Sequence, residues 1–441
     1  MLFALAAALL VLPWAIRWSE GNFQIGGESS YYHARMGVAL AEGDFGADYG
    51  IVGGREYRLS PYHVLIAVFY RLFGEVALVL LPMLLAWCSV LLFWVVLREV
   101  GFSSGERFWA LLSFILAPPL VASGFLLSPH GFVVLLVLAA IALIRTRFWW
   151  VSGILLVLAG LCGLPFLLGM LAAVLVMVFV WPEFASRLNL LAVILLVLLI
   201  AGAYAPVPIE EVGLEGFVSD LGGLFGAGLF TVLLSVLGLI LLWEYKRRFL
   251  GAFVCVFASL IAGFFFPGVL VVVSILFAML VGIGLSRLWE REWDLRALKG
   301  ASLLVLFCGL LFSTVSHAVA LGHAGPSETF FRAAALEKGV VLTHQKYGFW
   351  AEFAGHTVVT DGLGVSAQTA EDVSSLFAST DVERTLALID KYDINYVIIT
   401  PEMAQGLVWE QDERGLDFLV RNSEMFKRVD SGLSVRVYRV Q

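Results

Sequence analysis

The residues best suited to chemistry begin in a polar segment close to the N-terminus of the 441-residue chain. Ser29 or Ser30 is suited to capping a helix that runs to about residue 41. At the start of this helix stand Glu28 and the aromatic pair Tyr31 and Tyr32. The partial positive charge of a helix N-terminus favours an ionised carboxylate or a bound anion. The pattern therefore predicts either a functional carboxylate at Glu28 or a capping carboxylate without chemistry.

Two guanidinium groups follow at Arg55 and Arg58, beside the mostly apolar stretch 64–73. The planar fork of arginine matches the oxygen atoms of a phosphate, so two arginines just outside a bilayer are suited to a lipid phosphate or diphosphate. The alternative is that both side chains reach ordinary lipid headgroups.

The composition identifies the scaffold that must position these groups. Hydrophobic residues make up 60% of the chain and charged residues 14%, which is typical of membrane proteins and not of soluble domains. The net charge of -7 and the lack of a basic stripe exclude nucleic acid as an expected partner. The four cysteines lie inside apolar runs, and they predict neither a disulfide framework nor a metal knuckle.

Eleven apolar runs are long enough to predict membrane-spanning helices, because a bilayer core about 30 Å thick needs roughly 20 residues per helix. They lie near residues 2–16, 76–97, 108–126, 131–144, 149–163, 165–181, 188–204, 221–243, 249–266, 268–285 and 298–318. The first run lacks the basic start and the cleavage site of a signal peptide, so we expect it to stay as a span.

The basic residues of the short loops predict the orientation. Alternate loops hold twelve Lys and Arg residues, and the short loops between them hold none. Because basic loops stay in the cytoplasm, the N-terminus is predicted inside and everything after the eleventh span outside. The sequence thus predicts an integral membrane protein.

Two segments are expected to lie outside the membrane. Residues 17–75 form a long outer loop that carries the predicted interfacial helix, and the composition becomes that of a soluble domain from residue 322. Four strands are predicted in this last part, at 339–343, 357–360, 396–400 and 434–440, with a helix at 382–391. We therefore expect a transmembrane domain at 1–321 and a small extracytoplasmic α/β domain at 322–441.

Four segments, in this order and on the predicted outer side, resemble motifs of a known family: 27–35, 208–212, 341–348 and 356–362. The family is the catalytic subunit of oligosaccharyltransferase in its archaeal and bacterial single-subunit forms. It belongs to the C-type membrane glycosyltransferases. The resemblance implies that fold, a location in the plasma membrane of a prokaryote with an archaeal source, and a glycosyl donor linked to a polyprenyl phosphate or diphosphate.

The resemblance also implies roles for particular residues. Glu28 and Glu211 are expected to be catalytic, and with His130 they are expected to hold Mg²⁺ or Mn²⁺. A turn residue at His130 and a solvated loop pair at Glu210 and Glu211 are the alternatives. The residues expected at the substrate are Tyr31, Tyr32, His33, Arg35, Arg55, Arg58, Lys346 and Tyr347.

Three departures from the family pattern restrict this hypothesis. The family has thirteen spans, whereas eleven are predicted in this chain. The family also has an Asp-x-Asp pair in its second outer loop, where this chain has only His130 to replace a ligand. The family's Trp-Trp-Asp, which grips the hydroxyl residue of an acceptor sequon, is replaced by residues 344–346, His-Gln-Lys. The sequence therefore predicts a membrane glycosyltransferase whose acceptor, protein or glycan, is open. The alternatives are a non-catalytic relative that binds a lipid-linked glycan or partners a true transferase, and a transporter, which the scarcity of charge inside the spans disfavours.

Overall fold

A computed structural model of the protein describes residues 1–44, 46–56, 58–208, 214–410, 414–429 and 434–441. The chain forms two compact units. The first contains Met1–Glu20 and Arg58–Ala324, and the second contains Gly21–Tyr57 and Gly325–Gln441. The division into domains at residue 321 stays a prediction, because compactness of contacts is not the same property as independent folding.

Apolar helices make up most of the first unit, and every apolar run found in the sequence overlaps at least one of them. In chain order, with α2 belonging to the second unit, the helices are α1 Leu2–Ser19, α2 Glu28–Glu42, α3 Pro61–Phe73, α4 Val76–Val100, α5 Ser104–Ile115, α6 Pro118–Phe125, α7 Pro129–Ile144, α8 Trp149–Gly160, α9 Leu164–Val180, α10 Ala185–Ala201, α11 Leu214–Phe217, α12 Leu229–Leu242, α13 Lys246–Phe265, α14 Gly268–Glu290 and α15 Arg296–His323.

Not all of these helices have the length of a membrane span. Among the described residues, five helices are long and apolar enough to cross a membrane, or six if the bent pair α5 and α6 forms one span. The other apolar helical stretches of this unit, among them Leu250–Phe265 within α13, have 10–17 residues. The protein is therefore mostly helical with several membrane-spanning candidates, and the count of eleven spans stays a prediction.

A proline breaks the third apolar run, which the sequence predicts as one span. Helix α5 begins with a capping box, in which the Ser103 hydroxyl accepts from the Glu106 amide and the Glu106 carboxylate accepts from the Ser103 amide. Helix α6 begins at Pro118 and lies at 50° to α5. Proline lacks an amide hydrogen and its ring hinders the preceding turn, so the helix restarts there.

A buried arginine joins the end of α1 to the end of α15. The side chain of Arg17 is inaccessible to solvent and donates to the carbonyl oxygens of Gly322, at 3.4 Å, and Ala324. These carbonyls belong to the last turn of α15, where the helix dipole favours a positive charge. The contact satisfies carbonyl groups that the helix itself leaves without partners.

The first testable prediction concerns this arginine. Arg17→Met is expected to lower the free energy of unfolding by roughly 1–3 kcal/mol, because buried carbonyl groups lose a charged donor. Thermal unfolding of the detergent-solubilised protein measures the effect. Arg98→Met is the matched control, since Arg98 is an exposed residue in the last turn of α4. Equal melting temperatures for the two variants would contradict the role given to Arg17.

The second unit contains a five-stranded sheet in the order β2-β1-β3-β5-β4. Strands β1, β2 and β3 are mutually parallel, whereas β5 is antiparallel to both β3 and β4. The remaining elements of this unit are α16 Glu328–Ala333, β1 Val340–Leu342, α17 Gln345–Phe353, β2 Thr357–Val358, α18 Ala367–Ala378, α19 Val382–Tyr392, β3 Ile394–Ile399, α20 Leu416–Asn422, β4 Phe426–Arg428 and β5 Arg436–Val440.

Most of these elements follow the sequence pattern. The four predicted strands correspond to β1, β2, β3 and β5, and Asp381 caps α19 by accepting from the amide of Glu383 at 2.9 Å. Strand β4 has only three residues, and no apolar alternation marks it in the sequence. The structure thus adds one edge strand to the predicted set.

The segment that follows α2 extends the same sheet. Asp48 and Arg55 form an antiparallel bridge, and the amide of Val52 donates to the carbonyl of Val358 at 2.9 Å. The amide of Val358 in turn donates to the carbonyl of Gly50. This pairing places the segment along β2, at the edge of the sheet. As a result α2 and the following loop form one unit with the C-terminal residues.

Candidate functional site

Helix α2 begins at Glu28, preceded by Gly27 with a φ of 80°. The predicted cap at Ser29 or Ser30 is wrong: both serines lie inside the first turn, and no side chain caps this helix. Glycine adopts the positive φ at no steric cost and therefore allows the chain to enter the helix two or three residues earlier than predicted. The Glu28 carboxylate remains in the first turn, beside the positive end of the helix dipole.

The Glu28 carboxylate faces a lysine and a second carboxylate of the same unit. The Glu28 Oε1 atom lies 4.0 Å from Nζ of Lys346, and Nζ lies 2.9 Å from Glu402 Oε2. The Tyr347 hydroxyl donates to the same Glu402 oxygen at 2.6 Å. All three charged groups are partly exposed, with 38–62% of each side chain accessible. A small polar patch therefore forms where the family motif would lie, and we name it the Glu28 patch: Glu28, Lys346, Tyr347 and Glu402.

The electrostatics of the patch follow from these contacts. Burial alone would raise the pKa of Glu402, but the hydrogen bonds from Tyr347 and Lys346 outweigh it and the pKa is lowered. Burial raises the pKa of Tyr347, and the neighbouring Glu402 adds to the effect. The tyrosine is thus held as a hydrogen-bond donor. His344 precedes them as the cap of α17, its Nδ1 accepting from the Lys346 amide at 3.3 Å.

The aromatic residues of α2 lie inside the unit. Tyr31 is inaccessible to solvent, packs against Phe331 and Phe353, and donates its hydroxyl to the carbonyl of Ile25 at 2.9 Å. Tyr32 and His33 are 3% and 4% exposed. These side chains fix α2 against the C-terminal residues, and their roles at a substrate stay predictions.

Five charged residues form a buried cluster next to these aromatic side chains, which we name the charge cluster: Arg35, Asp48, Arg55, Glu352 and Asp361. Arg35 donates to Asp48 at 2.6 Å and to Glu352. Arg55 donates to Asp48 at 2.8 Å and makes a bidentate pair with Asp361, with Nη1 at 3.0 Å from Oδ1. The guanidinium groups of Arg35 and Arg55, both predicted at the substrate, thus contact carboxylates of their own unit.

Opposing pKa shifts distinguish two carboxyl groups of the charge cluster. Burial raises the pKa of Asp48, but the hydrogen bond and the charge of Arg35 outweigh it, with Arg55 adding to them, so its pKa lies below 3.8. Burial raises the pKa of Glu352 well above 4.5, because the neighbouring Asp361 reinforces the effect while Arg35 only partly opposes it. Asp48 is therefore ionised near neutral pH, whereas Glu352 holds its proton to a higher pH than a free glutamate does.

A glycine permits the tight approach inside the charge cluster. A Cβ atom at Gly50 would lie 2.7 Å from the guanidinium carbon of Arg35, closer than any real Cβ contact. The Gly50 amide also donates to Asp48 at 3.0 Å. Only glycine leaves room for the arginine there.

The remaining predicted residues belong to the first unit or lie outside the described residues. His130 is 2% exposed, its ring stacks on Phe225 with centroids 3.6 Å apart, and its Nδ1 lies 3.0 Å from the Ser128 hydroxyl. Arg58 is exposed. Glu211 and its neighbours at 209–213 lie outside the described residues. No group of three or more His, Cys, Asp or Glu in the described part of the chain is placed to hold a metal ion, so the metal site stays a prediction.

An apolar cavity of about 300 Å³ opens beside His130 in the first unit. Its lining is almost entirely apolar: Leu164, Pro165, Phe166, Tyr204, Ala205, Pro206, Val207, Pro208, Phe265, Phe266, Pro267 and Gly268. Such a lining can accept hydrocarbon, because transfer of apolar surface out of water is favourable.

The amino-acid sequence and the structure were compared with those of known proteins. No protein-family model and no curated protein matches the amino-acid sequence. The structure is similar to the AglB oligosaccharyltransferase of Archaeoglobus fulgidus in complex with an inhibitory peptide and a dolichol-phosphate, with a TM-score of 0.64 and 14% identity over 100% of this chain and 74% of that one. The chain shares the fold of this structure.

Two further structures support this fold. The same archaeal enzyme in complex with Zn and sulfate has a TM-score of 0.62 and 14% identity, over 100% of this chain and 73% of that one. ArnT from Cupriavidus metallidurans bound to undecaprenyl phosphate has a TM-score of 0.58 and 16% identity, over 99% of this chain and 97% of that one. The resemblance predicted from the four motifs is confirmed at the level of the fold. At these identities the likeness establishes the fold and not the reaction.

Sequence reasoning missed four carboxyl groups around the predicted site: Asp48, Glu352, Asp361 and Glu402. A signal for one of them was present, since Glu352 is a single acidic residue in an otherwise aromatic and apolar turn of α17. A carboxyl group in such a turn is buried and needs partners. The partners themselves, Arg35 and Arg55, lie about 300 residues away in the sequence, with separations of 317 for Arg35–Glu352 and 306 for Arg55–Asp361.

Proposed function

We propose that the protein is an integral membrane glycosyltransferase whose donor is a sugar linked to a polyprenyl phosphate or diphosphate. One observation carries this proposal: the fold extends over essentially the whole chain in two proteins, one bound to dolichol-phosphate and the other to undecaprenyl phosphate. The apolar cavity beside His130 is the proposed place for part of the isoprenoid chain. The acceptor is a protein or a glycan.

The proposed location is the outer face of a prokaryotic plasma membrane, that of an archaeon. The basic residues support it, with twelve in alternate short loops and none in the others. Eleven spans then place the N-terminus in the cytoplasm and residues 322–441 outside as a domain distinct from 1–321. The charged groups of the Glu28 patch then meet donor and acceptor in the extracytoplasmic space.

The proposed chemistry uses carboxylates. Glycosyl transfer requires an acceptor nucleophile to lose its proton and the departing phosphate to be stabilised. Glu28 is proposed to accept a proton from the acceptor or to polarise it, together with Glu211. Lys346 at 4.0 Å and the N-terminus of α2 place positive charge beside Glu28.

A divalent cation, Mg²⁺ or Mn²⁺, is proposed as the cofactor, with Glu28, His130 and Glu211 as its ligands. Bound there, it would neutralise charge on the departing phosphate. The zinc in the archaeal enzyme's complex supports a cation site in this fold. The aromatic surroundings of His130 favour a neutral imidazole, which is the form that binds a metal ion.

The second prediction tests this function. Purified protein is incubated with a radiolabelled polyprenyl-linked sugar, with Mn²⁺ or with EDTA, and release or transfer of the sugar is measured. Glu28→Gln is expected to lower the rate by about 100-fold, as loss of a general base does. Glu42→Gln, at the exposed C-terminal end of the same helix, is the matched control and should keep the wild-type rate.

The same assay separates the alternative, a non-catalytic relative that binds a lipid-linked glycan or partners a true transferase. The replacement of the family's Asp-x-Asp pair and of its Trp-Trp-Asp motif favours this alternative. Tight binding of the labelled donor without transfer or hydrolysis, with or without Mn²⁺ and equally in the Glu28→Gln variant, would support it and overturn the proposed catalysis.

A further inference from the structure

A polar groove lies on one face of the sheet in the second unit, and none of its lining residues belongs to the Glu28 patch or to the other residues of the proposed reaction. It encloses about 550 Å³. Its walls come from α20, β4, β5 and the short helical turn Met403–Leu407. The lining residues are Pro401, Ala404, Gln405, Val420, Arg421, Phe426, Arg428, Ser434, Arg436 and Tyr438. We name it the arginine groove.

The strand register explains why two of the arginines meet. Arg428 of β4 lies directly opposite Tyr438 of β5. Arg436 precedes Tyr438 by two residues on the same strand, so its side chain leaves the same face of the sheet. Neighbouring strands are roughly 5 Å apart, which brings both guanidinium groups to one site.

A buried carboxylate fixes two of the three arginines. Asp417 is inaccessible to solvent, and its oxygens lie 2.7 Å from Nη2 of Arg421 and 2.9 Å from Nη1 of Arg436. The two side chains are therefore held in place before any ligand arrives. Arg428 adds a third guanidinium group to the lining of the groove.

The chemistry of the lining points to one class of ligand. Guanidinium groups bind carboxylates through paired hydrogen bonds, and Gln405, Ser434 and Tyr438 offer groups that hydrogen-bond hydroxyls. The volume lies within the range of sites for small organic molecules, roughly 300–1,000 Å³, and far exceeds the need of a single inorganic anion. We propose that the arginine groove binds an acidic oligosaccharide, one built from sugars that carry carboxylate groups. This binding does not depend on glycosyl transfer.

The experiment measures binding to the full-length protein in detergent, without any lipid-linked donor, by isothermal titration calorimetry at low and at physiological salt. The probe is tetragalacturonate, with neutral galactotetraose, tetraglutamate and inorganic sulfate as comparison ligands. Arg428→Gln is the test variant. Arg439→Gln is the matched control, because Arg439 belongs to the same strand as Arg436, adjoins Tyr438 and so points to the opposite face, near Glu337.

We expect tetragalacturonate to bind more tightly than the other three ligands, and Arg428→Gln to weaken it by about 10-fold, the effect of one charge-assisted hydrogen bond. Arg439→Gln should leave the affinity unchanged. Equal weakening by both variants, or tetragalacturonate no tighter than galactotetraose, would overturn the proposal. So would binding of tetraglutamate or sulfate as tight as that of the acidic sugar, which would show a peptide site or a simple anion site. Because no donor is present, these outcomes are independent of whether Glu28 is catalytic.

Discussion

Replacing Asp48 by asparagine is expected to lower the free energy of unfolding by about 3–5 kcal/mol, the cost of removing one partner from a buried ion pair. Asp48 is 2% exposed at its side chain and accepts from Arg35, Arg55 and the Gly50 amide. Without its charge, two guanidinium groups that are only about 20% exposed lose a shared counter-ion. The change should appear as a lower melting temperature of the full-length protein and as faster proteolysis near residue 50.

The control for this variant lies in the same loop. Asp44→Asn removes the same charge from an exposed position, where the carboxylate accepts only from the Gly46 amide at 3.2 Å among the contacts described. Its effect should stay within about 0.5 kcal/mol, as for most surface substitutions. If both variants melt at the wild-type temperature, the charge cluster does not hold the second unit together.

The contrast between the two halves of the fold shows what sequence can predict. A long apolar run has few structural solutions in or out of a membrane, so each run contains a helix in the structure. The break at Pro118 and the short length of several helices do not follow from the apolar pattern. The cap at Asp381 was also visible, because an acidic residue before a helix acts within three residues of itself.

Ion pairs between residues that are far apart in the chain could not be predicted from the sequence in this way. Arg55 and Asp361 are 306 residues apart, and each type of charge is common on protein surfaces. The sequence predicts Arg55 at a lipid phosphate and Arg35 at the substrate, and the structure gives each of them carboxylate partners within its own unit. Glu28 was singled out by its neighbours in sequence, but its contact with Lys346 depends on the fold.

Glu352→Gln is expected to change how the free energy of unfolding depends on pH. The pKa of Glu352 is raised in the folded protein, whereas that of Asp48 is lowered. Burial raises the pKa of Glu352 well above 4.5, so between pH 4.5 and that higher value the folded protein retains a proton that the unfolded chain has released. The wild type must therefore lose stability as pH rises through this interval, by at most about 1.4 kcal/mol per pH unit. Glutamine has nearly the same shape as the protonated acid and does not titrate.

The measurement is the unfolding free energy from pH 4.5 to 8 for the wild type, Glu352→Gln and the control Glu371→Gln, which alters an exposed residue of α18. We expect Glu352→Gln to be close to the wild type at pH 4.5 and more stable at pH 8, with the control following the wild-type curve. The groups that face Glu352 are Arg35, Arg55, Asp48 and Asp361. The pKa of Asp48 is lowered, so its contribution to the free energy of unfolding is lost only below pH 3.8, outside the measured interval.

The charges of the cluster explain why these two variants should differ so strongly. Arg35 and Arg55 carry two positive charges, and Asp48 and Asp361 carry two negative ones, so the cluster is neutral only if Glu352 keeps its proton. Glutamine at position 352 preserves that balance, whereas asparagine at position 48 leaves one buried positive charge uncompensated. Parallel stability curves for the wild type and Glu352→Gln would mean that Glu352 is ionised in the folded protein. The cluster would then carry a net negative charge, and Asp48→Asn would have to be mild.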